Sequence, residues 1–208
     1  GLPLGLVWYA IPDWMRDIGV DLRVVGVFTL AQAPWAFKVV WSPLVDRYVP
    51  PFWGRRRGWI ALMQVALAVL GLLLAGVGDE PGAIWVVGAL ALAIALASAT
   101  QDIAIDAYTI DVLPTKEQGA AVGARVAFYR AAMLVSGGAA ISMAARYGWP
   151  VANLLLALLY VPMLLLTWNA PDGEAQVPRP RTLREAVWQP LLGFLAQQTF
   201  GGERPLGL

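Results

Sequence analysis

Long apolar runs, separated by short polar or charged segments, make up most of this 208-residue chain. A transmembrane helix needs about 20 residues to cross a hydrocarbon core of about 30 Å. The runs therefore predict six membrane-spanning helices. The first apolar run, residues 1–12, is too short to span, so this helix either continues through Trp14 and Ile18 or is truncated at its start. The other predicted spans are residues 24–45, 59–77, 83–114, 120–145 and 149–168.

The composition also indicates a membrane protein. The chain is 59% hydrophobic and 14% charged, with a mean hydropathy of +0.62, whereas about a quarter of the residues of soluble domains are charged. We therefore expect an all-α polytopic membrane protein embedded in lipid. Its net charge is +1 and its basic residues lie in short loops, which argues against a nucleic-acid partner.

The chain contains no cysteine and no histidine. This composition excludes disulfides, thiolate nucleophiles and the usual zinc ligand sets. We expect neither a metal nor a cofactor, and any proton transfer has to use carboxylates.

The predicted domain organisation has three parts. Residues 1–168 form the six-span bundle, and residues 169–189 form a cytoplasmic linker rich in proline, arginine and acidic residues. Residues 190–208 begin like a further helix, but the two glycines at 201–202 favour either a helix start or a frayed tail.

The basic residues predict the orientation, because positively charged loops stay in the cytoplasm. The loops after the even-numbered spans contain eight basic residues, namely Arg47, Arg55, Arg56, Arg57, Lys116, Arg179, Arg181 and Arg184. The opposite side has three, namely Arg16, Arg23 and Arg146. The loop of residues 46–58 is therefore predicted to be cytoplasmic.

That loop, with its flanks, reads WSPLVDRYVPPFWGRRRGW from Trp41 to Trp59. A carboxylate at a cytoplasmic helix end can pair with arginines from the same loop or a neighbouring helix and hold one conformation. We interpret the loop as a cytoplasmic gate. Its candidate residues are Asp46, Arg47, Gly54, Arg55, Arg56 and Arg57. The alternative is that the arginines only fix the topology.

The fourth predicted span ends in a polar stretch with three carboxylates. Asp102 and Asp106 are four residues apart and share a helix face. A charge at membrane depth costs about 2.5–3.5 kcal/mol, so Asp102 and Asp106, with Gln101, are candidates for a solute or proton path. Alternatively, the carboxylates are solvated at the inner end and pair with Arg125 or with residues 55–57. We expect Asp111 to form a loop salt bridge.

Two cations lie inside predicted spans. Arg130 is about ten residues into the fifth span, roughly 15 Å along the helix, where a carboxylate or an anionic ligand is most needed. Lys38 is eight residues before Asp46, so its side chain either reaches towards the interface or lines a cavity. Both residues are candidates for the solute path.

The fifth span also carries small residues at intervals of four, at positions 119, 123, 127 and 131. Such spacing allows two helices to approach closely. The stripe either faces the other half of a transporter or serves ordinary helix packing.

The D-R, spacer and G-R-R-R order between the second and third spans resembles the signature loop of the major facilitator superfamily. More narrowly, FKVVWSPLVDRYVPPFWGRRRGW together with QDIAIDAYTIDVLP is similar to the bacterial muropeptide permease family, to which acetyl-coenzyme A transporters are related. The resemblance implies one six-helix half of a twelve-span transporter, whose C-terminal half is missing here. It implies proton-coupled uptake of anhydro-muropeptides for cell-wall recycling across the bacterial inner membrane, or transport of acetyl-coenzyme A or another small solute.

Two other functional classes remain as alternatives. The spacing of Asp102, Asp106 and Asp111 superficially resembles the magnesium-binding motifs of intramembrane prenyltransferases. Those motifs are tighter and come in two copies, whereas no second copy is present here, because Asp172 and Glu174 lie in a proline-rich segment after the last span. The chain could also be a non-transporting half-transporter or scaffold. We predict a transporter rather than an enzyme.

Overall fold

The computed structural model describes residues 1–77 and 81–171, and six helices run through this part of the chain. The first, α1, consists of Leu2–Gly5, a π-helical turn at Leu6–Ala10, and Ile11–Asp17. The second, α2, consists of Leu22–Phe28, Ala33–Phe37 and Ser42–Arg47, which are joined by 3-10 turns at Thr29–Gln32 and Lys38–Val40.

The other four helices are longer. They are α3, Arg55–Ala75; α4, Ile84–Val112; α5, Thr115–Leu134 continued by a π-helical turn at Val135–Ala139 and by Ala140–Tyr147; and α6, Trp149–Leu158 continued by Tyr160–Asn169. By length and composition these four can each cross a membrane. The all-α polytopic fold is confirmed.

Two predicted helix starts were wrong. Helix α3 begins at Arg55 rather than at residue 59, and α5 begins at Thr115 rather than at residue 120. The apolar pattern missed these first turns because their polar residues are good helix formers but are not hydrophobic. Arg55, Arg56 and Arg57 therefore lie in the first turn of a helix and not in a loop.

Prolines explain why α2 is broken. A proline lacks an N–H and its ring clashes with the carbonyl four residues earlier. Pro34 and Pro43 each follow a 3-10 turn that contains the affected carbonyl, at Leu30 and Val39. The Ser42 hydroxyl donates a hydrogen bond of 3.0 Å to the Val39 carbonyl, so a side chain satisfies the acceptor that Pro43 leaves open.

The main core lies where α1, α3, α4 and α6 meet. Trp14 of α1 and Leu67 of α3 are each 1% exposed, and Ile94 of α4 is 2% exposed. Trp14 stacks on Trp149 of α6 with ring centroids 5.6 Å apart. The Trp149 indole N–H donates to the Asp17 carboxylate at 3.1 Å, which ties the ends of α1 and α6 together.

Helix α5 is packed closely in its middle and is little covered at its N-terminal end. A Cβ on Gly5 of α1 would overlap the Ser136 hydroxyl and the Met133 carbonyl, so the glycine allows α1 and α5 to touch. In contrast, a Cβ on Gly119 or Gly123 would meet no described atom within 4 Å. These two glycines therefore do not serve helix packing within the described half.

Part of the predicted organisation lies outside the described residues. This applies to residues 172–208, which include most of the linker, the tail, Asp172, Glu174 and three of the counted arginines, and to residues 78–80. The domain boundaries after residue 169 stay predictions.

Candidate functional site

A cavity of about 520 Å³ lies between α1, α2, α4 and α5. Five charged side chains line it, namely Lys38, Asp102, Asp106, Arg125 and Arg130. Four of these were candidates from the sequence. The fifth, Arg125, appeared there only as an alternative partner for the carboxylates.

The local structure of the helices explains this convergence. Asp102 and Asp106 are one turn apart on α4 and present both carboxylates to the same side. Lys38 opens the second 3-10 turn of α2, where Pro43 distorts the helix. Arg125 and Arg130 lie on the face of α5 that borders the cavity.

Asp106 is the centre of the charge network in the cavity. One of its carboxylate oxygens is 3.3 Å from Lys38 Nζ, and the other pairs with Arg125 Nη1. The three side chains are 31–39% exposed, so solvent screens both ion pairs in part. The structure thus contains the Asp106–Arg125 pairing that the sequence left as an alternative.

Asp102 and Arg130, unlike Asp106, form no direct ion pair with the described residues. Both line the cavity, and neither forms an ion pair or a side-chain hydrogen bond with any residue of the described part of the chain. Among the described residues, a carboxylate and a guanidinium therefore border the cavity without a direct hydrogen-bond or ion-pair partner, although Lys38 and Arg125 lie close enough for their charges to act on Asp102. Gln101, the neighbour of Asp102, is half-buried and is not among the residues that line it.

Aromatic side chains complete the walls. Trp8 of α1, Trp35 of α2 and Tyr129 of α5 line the cavity beside the charged groups. The indole N–H of Trp35 is buried and has no hydrogen-bond partner among the described residues. Apolar walls with a few convergent polar groups are typical of small-molecule sites.

Sequence reasoning missed these aromatic residues and gave Arg125 no role in binding. A signal was present on α5, because its lining residues follow the 3–4 spacing of one helix face. They are Val122, Arg125, Val126, Tyr129, Arg130 and Met133. For the aromatic residues of α1 and α2 the irregular turns obscure any such periodicity.

A second charged cluster lies at the end of the bundle where α2 meets α3. Arg56 Nη1 donates to Asp46 Oδ1 at 2.5 Å, and Arg56 Nε donates to Asp111 Oδ2 at 3.2 Å. Arg56 is 11% exposed and Asp111 is 5% exposed, whereas Asp46 is 38% exposed. One guanidinium thus connects α2, α3 and α4, and Asp111 is bound in an ion pair as expected.

The other gate candidates lie at the same ends of α2 and α3. Arg57 donates to the backbone carbonyls of Thr167 and Trp168, at 3.2 and 2.5 Å, which joins α3 to the end of α6. Arg55 is buried, and Arg47 is exposed at the end of α2. Gly54 has φ +77° and ψ −179° immediately before α3, a conformation that is essentially restricted to glycine.

The three carboxylates of α4 do not form one group. Asp106 pairs with Lys38 and Arg125, while Asp111 pairs with Arg56 at the end of the helix. In residues 1–77 and 81–171, no cluster of three or more acidic side chains is suited to hold a metal ion. The spacing that resembled a magnesium motif instead serves two separate ion-pair networks.

Comparison with known proteins adds independent information. Residues 1–202 match the model of the family described as Major Facilitator Superfamily. The chain is 43% identical over 204 residues to the protein named "Anhydromuropeptide permease" of Escherichia coli strain K12, covering 95% of this chain and 40% of that protein.

Two further relatives have less specific names. An "Uncharacterized protein" of Haemophilus influenzae is 35% identical over 200 residues, covering 95% of this chain and 47% of the relative. A "Putative transporter AmpG 4" of Rickettsia felis is 32% identical over 179 residues, covering 84% of this chain and 43% of the relative. The chain thus spans less than half the length of these curated relatives.

Proposed function

The chain belongs to the major facilitator superfamily, and from this premise we propose that it forms the N-terminal half of a transporter for proton-coupled uptake of anhydro-muropeptides. Identity of 43% to a protein named anhydromuropeptide permease supports the substrate class. The matching C-terminal half would complete the site, and lipid, the solute and protons would be the partners.

The observation that carries this proposal is the cavity between α1, α2, α4 and α5. It brings together residues from four helices that are distant in sequence, and it contains both signs of charge beside aromatic walls. Charged side chains within membrane helices are costly and mark solute or proton paths. A structural role alone would not require two charged groups without a protein partner.

We assign the two unpaired groups different roles. Arg130 offers a guanidinium to an anionic group of the solute, because its donors are not used by another described residue. Asp102 binds and releases the coupled proton, since it is a carboxylate at the cavity that forms no direct ion pair in the described part of the chain, where Lys38 and Arg125 both pair with Asp106. Lys38 and Asp106 complete the path, and Gln101 flanks it on α4.

The Arg56 cluster acts as the cytoplasmic gate in this proposal. Its ion pairs connect α2, α3 and α4, and Arg57 adds α6. Arg47 follows Asp46 at the end of α2, Arg55 precedes Arg56 on α3, and Gly54 is the residue immediately before α3. Such a network stabilises one arrangement of the helix ends, and its ion pairs break when the transporter changes conformation.

We place the protein in the bacterial inner membrane with the segment of residues 46–58 towards the cytoplasm. The support is the bacterial origin of the relatives named as transporters and the basic residues at this end of the helices. Among the described residues, this end carries Arg47, Arg55, Arg56, Arg57 and Lys116.

Uptake of labelled anhydro-muropeptide by membrane vesicles containing the complete transporter tests the proposal. We expect Asp102→Asn and Arg130→Ala each to lower uptake by about tenfold or more. The first removes the carboxylate that carries the coupled proton, and the second removes a charge-assisted interaction with the solute worth roughly 1.5–3 kcal/mol. The matched controls are Glu117→Gln and Arg16→Ala, which change exposed charges away from the cavity. Undiminished uptake by both cavity variants would contradict the assignment.

A further inference from the structure

Helices α1 and α5 each contain one π-helical turn, and the two turns meet. The turn at Leu6–Ala10 in α1 contacts the turn at Val135–Ala139 in α5. Residues 1–77 and 81–171 contain no third π-helical turn. Such turns are rare, often lie at functional sites, and are among the few places where a helix bends sharply.

Close contacts couple the two turns. A Cβ on Gly5, immediately before the turn of α1, would overlap the Ser136 hydroxyl in the turn of α5. A Cβ on Gly137 would lie 3.0 Å from the Tyr9 ring. Because close-packed groups cannot move independently, a bend at one turn requires a bend at the other.

The segments that follow the turns are fixed to the core. In α1, Trp14 stacks on Trp149 of α6, and the Trp149 indole N–H donates to Asp17 at 3.1 Å. In α5, Ala140–Tyr147 packs against the same helix, α6. Both ends are therefore held by α6.

The segments that precede the turns border the cavity and have less support. Leu4 of α1, with Tyr129 and Arg130 of α5, lines the cavity. Of the 20 residues of Thr115–Leu134, only Met133 is buried within the described part of the chain. Little packing within this half thus resists a displacement of α5 on the cavity side of its turn.

We propose that the paired π-helical turns form one hinge, at which the cavity-lining segments of α1 and α5 bend together relative to α3, α4 and α6. The bend moves Arg130 on α5 relative to Asp102 on α4, and so changes the spacing of these two charges at the cavity. The inference goes beyond the proposed function, because the halves of repeat-built transporters move largely as rigid bodies, whereas this hinge lies within one half.

Distances between pairs of spin labels in the complete transporter, measured by pulsed electron paramagnetic resonance in lipid vesicles, test the hinge. Lys116→Cys on α5 with Leu62→Cys on α3 reports the bend. Tyr147→Cys on α5 with Val86→Cys on α4 reports the anchored ends, and all four side chains are exposed. The 20 residues of Thr115–Leu134 span about 30 Å, so a bend of about 10° moves Lys116 by about 5 Å. Binding of anhydro-muropeptide should change the first distance by about 3–5 Å and the second by less than about 1 Å.

Deletion of Gly138 tests the turn itself. An i→i+5 hydrogen bond encloses one residue more than an α-helical one, so removing a residue closes the turn into α-helix and keeps both flanking faces. Gly138 is exposed, and a Cβ there would meet no described atom within 4 Å, so its removal costs no packing. The deletion should abolish the distance change and lower uptake, whereas Gly138→Ala keeps the residue count and should retain both.

The wild type provides a measurement that depends neither on the deletion variant folding nor on the solute. Without solute, the Lys116–Leu62 distance should have a broader distribution than the Tyr147–Val86 distance, because the hinge samples several angles. A Lys116–Leu62 distance that stays unchanged while anhydro-muropeptide is transported would overturn the inference and leave the proposed function intact. If anhydro-muropeptide is not taken up, the proposed function fails, and equal widths of the two distributions would then overturn the hinge as well.

Discussion

Replacing Arg56 with glutamine removes the guanidinium that joins Asp46 and Asp111 at the end of the bundle. The two lost ion pairs are not equivalent. Asp111 is 5% exposed, so the change leaves a carboxylate buried without its counter-ion. Asp46 is 38% exposed and can be solvated by water when the pair is broken. The expected loss of stability therefore comes mainly from the broken ion pair with Asp111.

The magnitudes follow from this burial. Removing one partner of a buried pair costs about 3–5 kcal/mol, and we expect about 3 kcal/mol for the Asp111 side of Arg56→Gln. The exposed Asp46 pair adds less than about 1 kcal/mol. Asp111→Asn leaves Arg56 paired with Asp46 and should cost about 1–2 kcal/mol, while Asp46→Asn should cost less than about 1 kcal/mol.

Thermal unfolding of the complete transporter in detergent measures this order. The matched control is Arg47→Gln, an exposed arginine on the neighbouring helix, which should change stability by less than about 0.5 kcal/mol. Because Arg56 and Asp111 contact each other, Arg56→Gln combined with Asp111→Asn should cost less than the sum of the single changes. An Arg56→Gln variant as stable as Arg47→Gln would refute the reasoning.

Two further stability predictions concern the backbone and the core. Gly54→Ala should destabilise the protein by about 1–3 kcal/mol because φ +77° with ψ −179° is strained for alanine; Gly26→Ala, in an open helical position of α2, is the control, and an equal effect of both would contradict the argument. Asn153 is 1% exposed and both its amide atoms lack a partner among the described residues, so Asn153→Leu should raise the unfolding temperature by removing an unsatisfied group that costs about 1–3 kcal/mol. An unfolding temperature below that of the wild type would show that the Asn153 amide has hydrogen-bond partners in the complete protein.

The helices could be predicted from the sequence because an apolar run of spanning length forms a helix in a membrane, where its backbone groups have to bond to each other. The sequence located α4 and α6 within a residue or two, since their ends coincide with proline, glycine or charge. It misplaced the first turns of α3 and α5, where polar residues continue a helix beyond its apolar part. Pro34 and Pro43 indicate in the sequence that α2 is interrupted, but they do not reveal that the interruptions are 3-10 turns.

Part of the candidate site could be predicted from the same apolar runs. A charge inside an apolar run stands out, and this singled out Lys38, Asp102 and Arg130. Which charges pair cannot be read from one helix at a time, because the Asp106 network joins α2, α4 and α5. The aromatic walls were missed because tryptophan and tyrosine are ordinary residues of apolar helices, and only their position around the cavity distinguishes Trp8, Trp35 and Tyr129.

Uptake driven by a proton gradient tests the central claim most directly. Lipid vesicles containing the complete transporter should accumulate labelled anhydro-muropeptide when the outside is made acidic, and accumulation should be lost when an ionophore removes the gradient. The Arg130→Ala protein should accumulate about tenfold less than the Arg16→Ala control, because Arg130 borders the cavity and Arg16 does not. Equal accumulation with and without the gradient, or by Arg130→Ala and Arg16→Ala, would contradict the account.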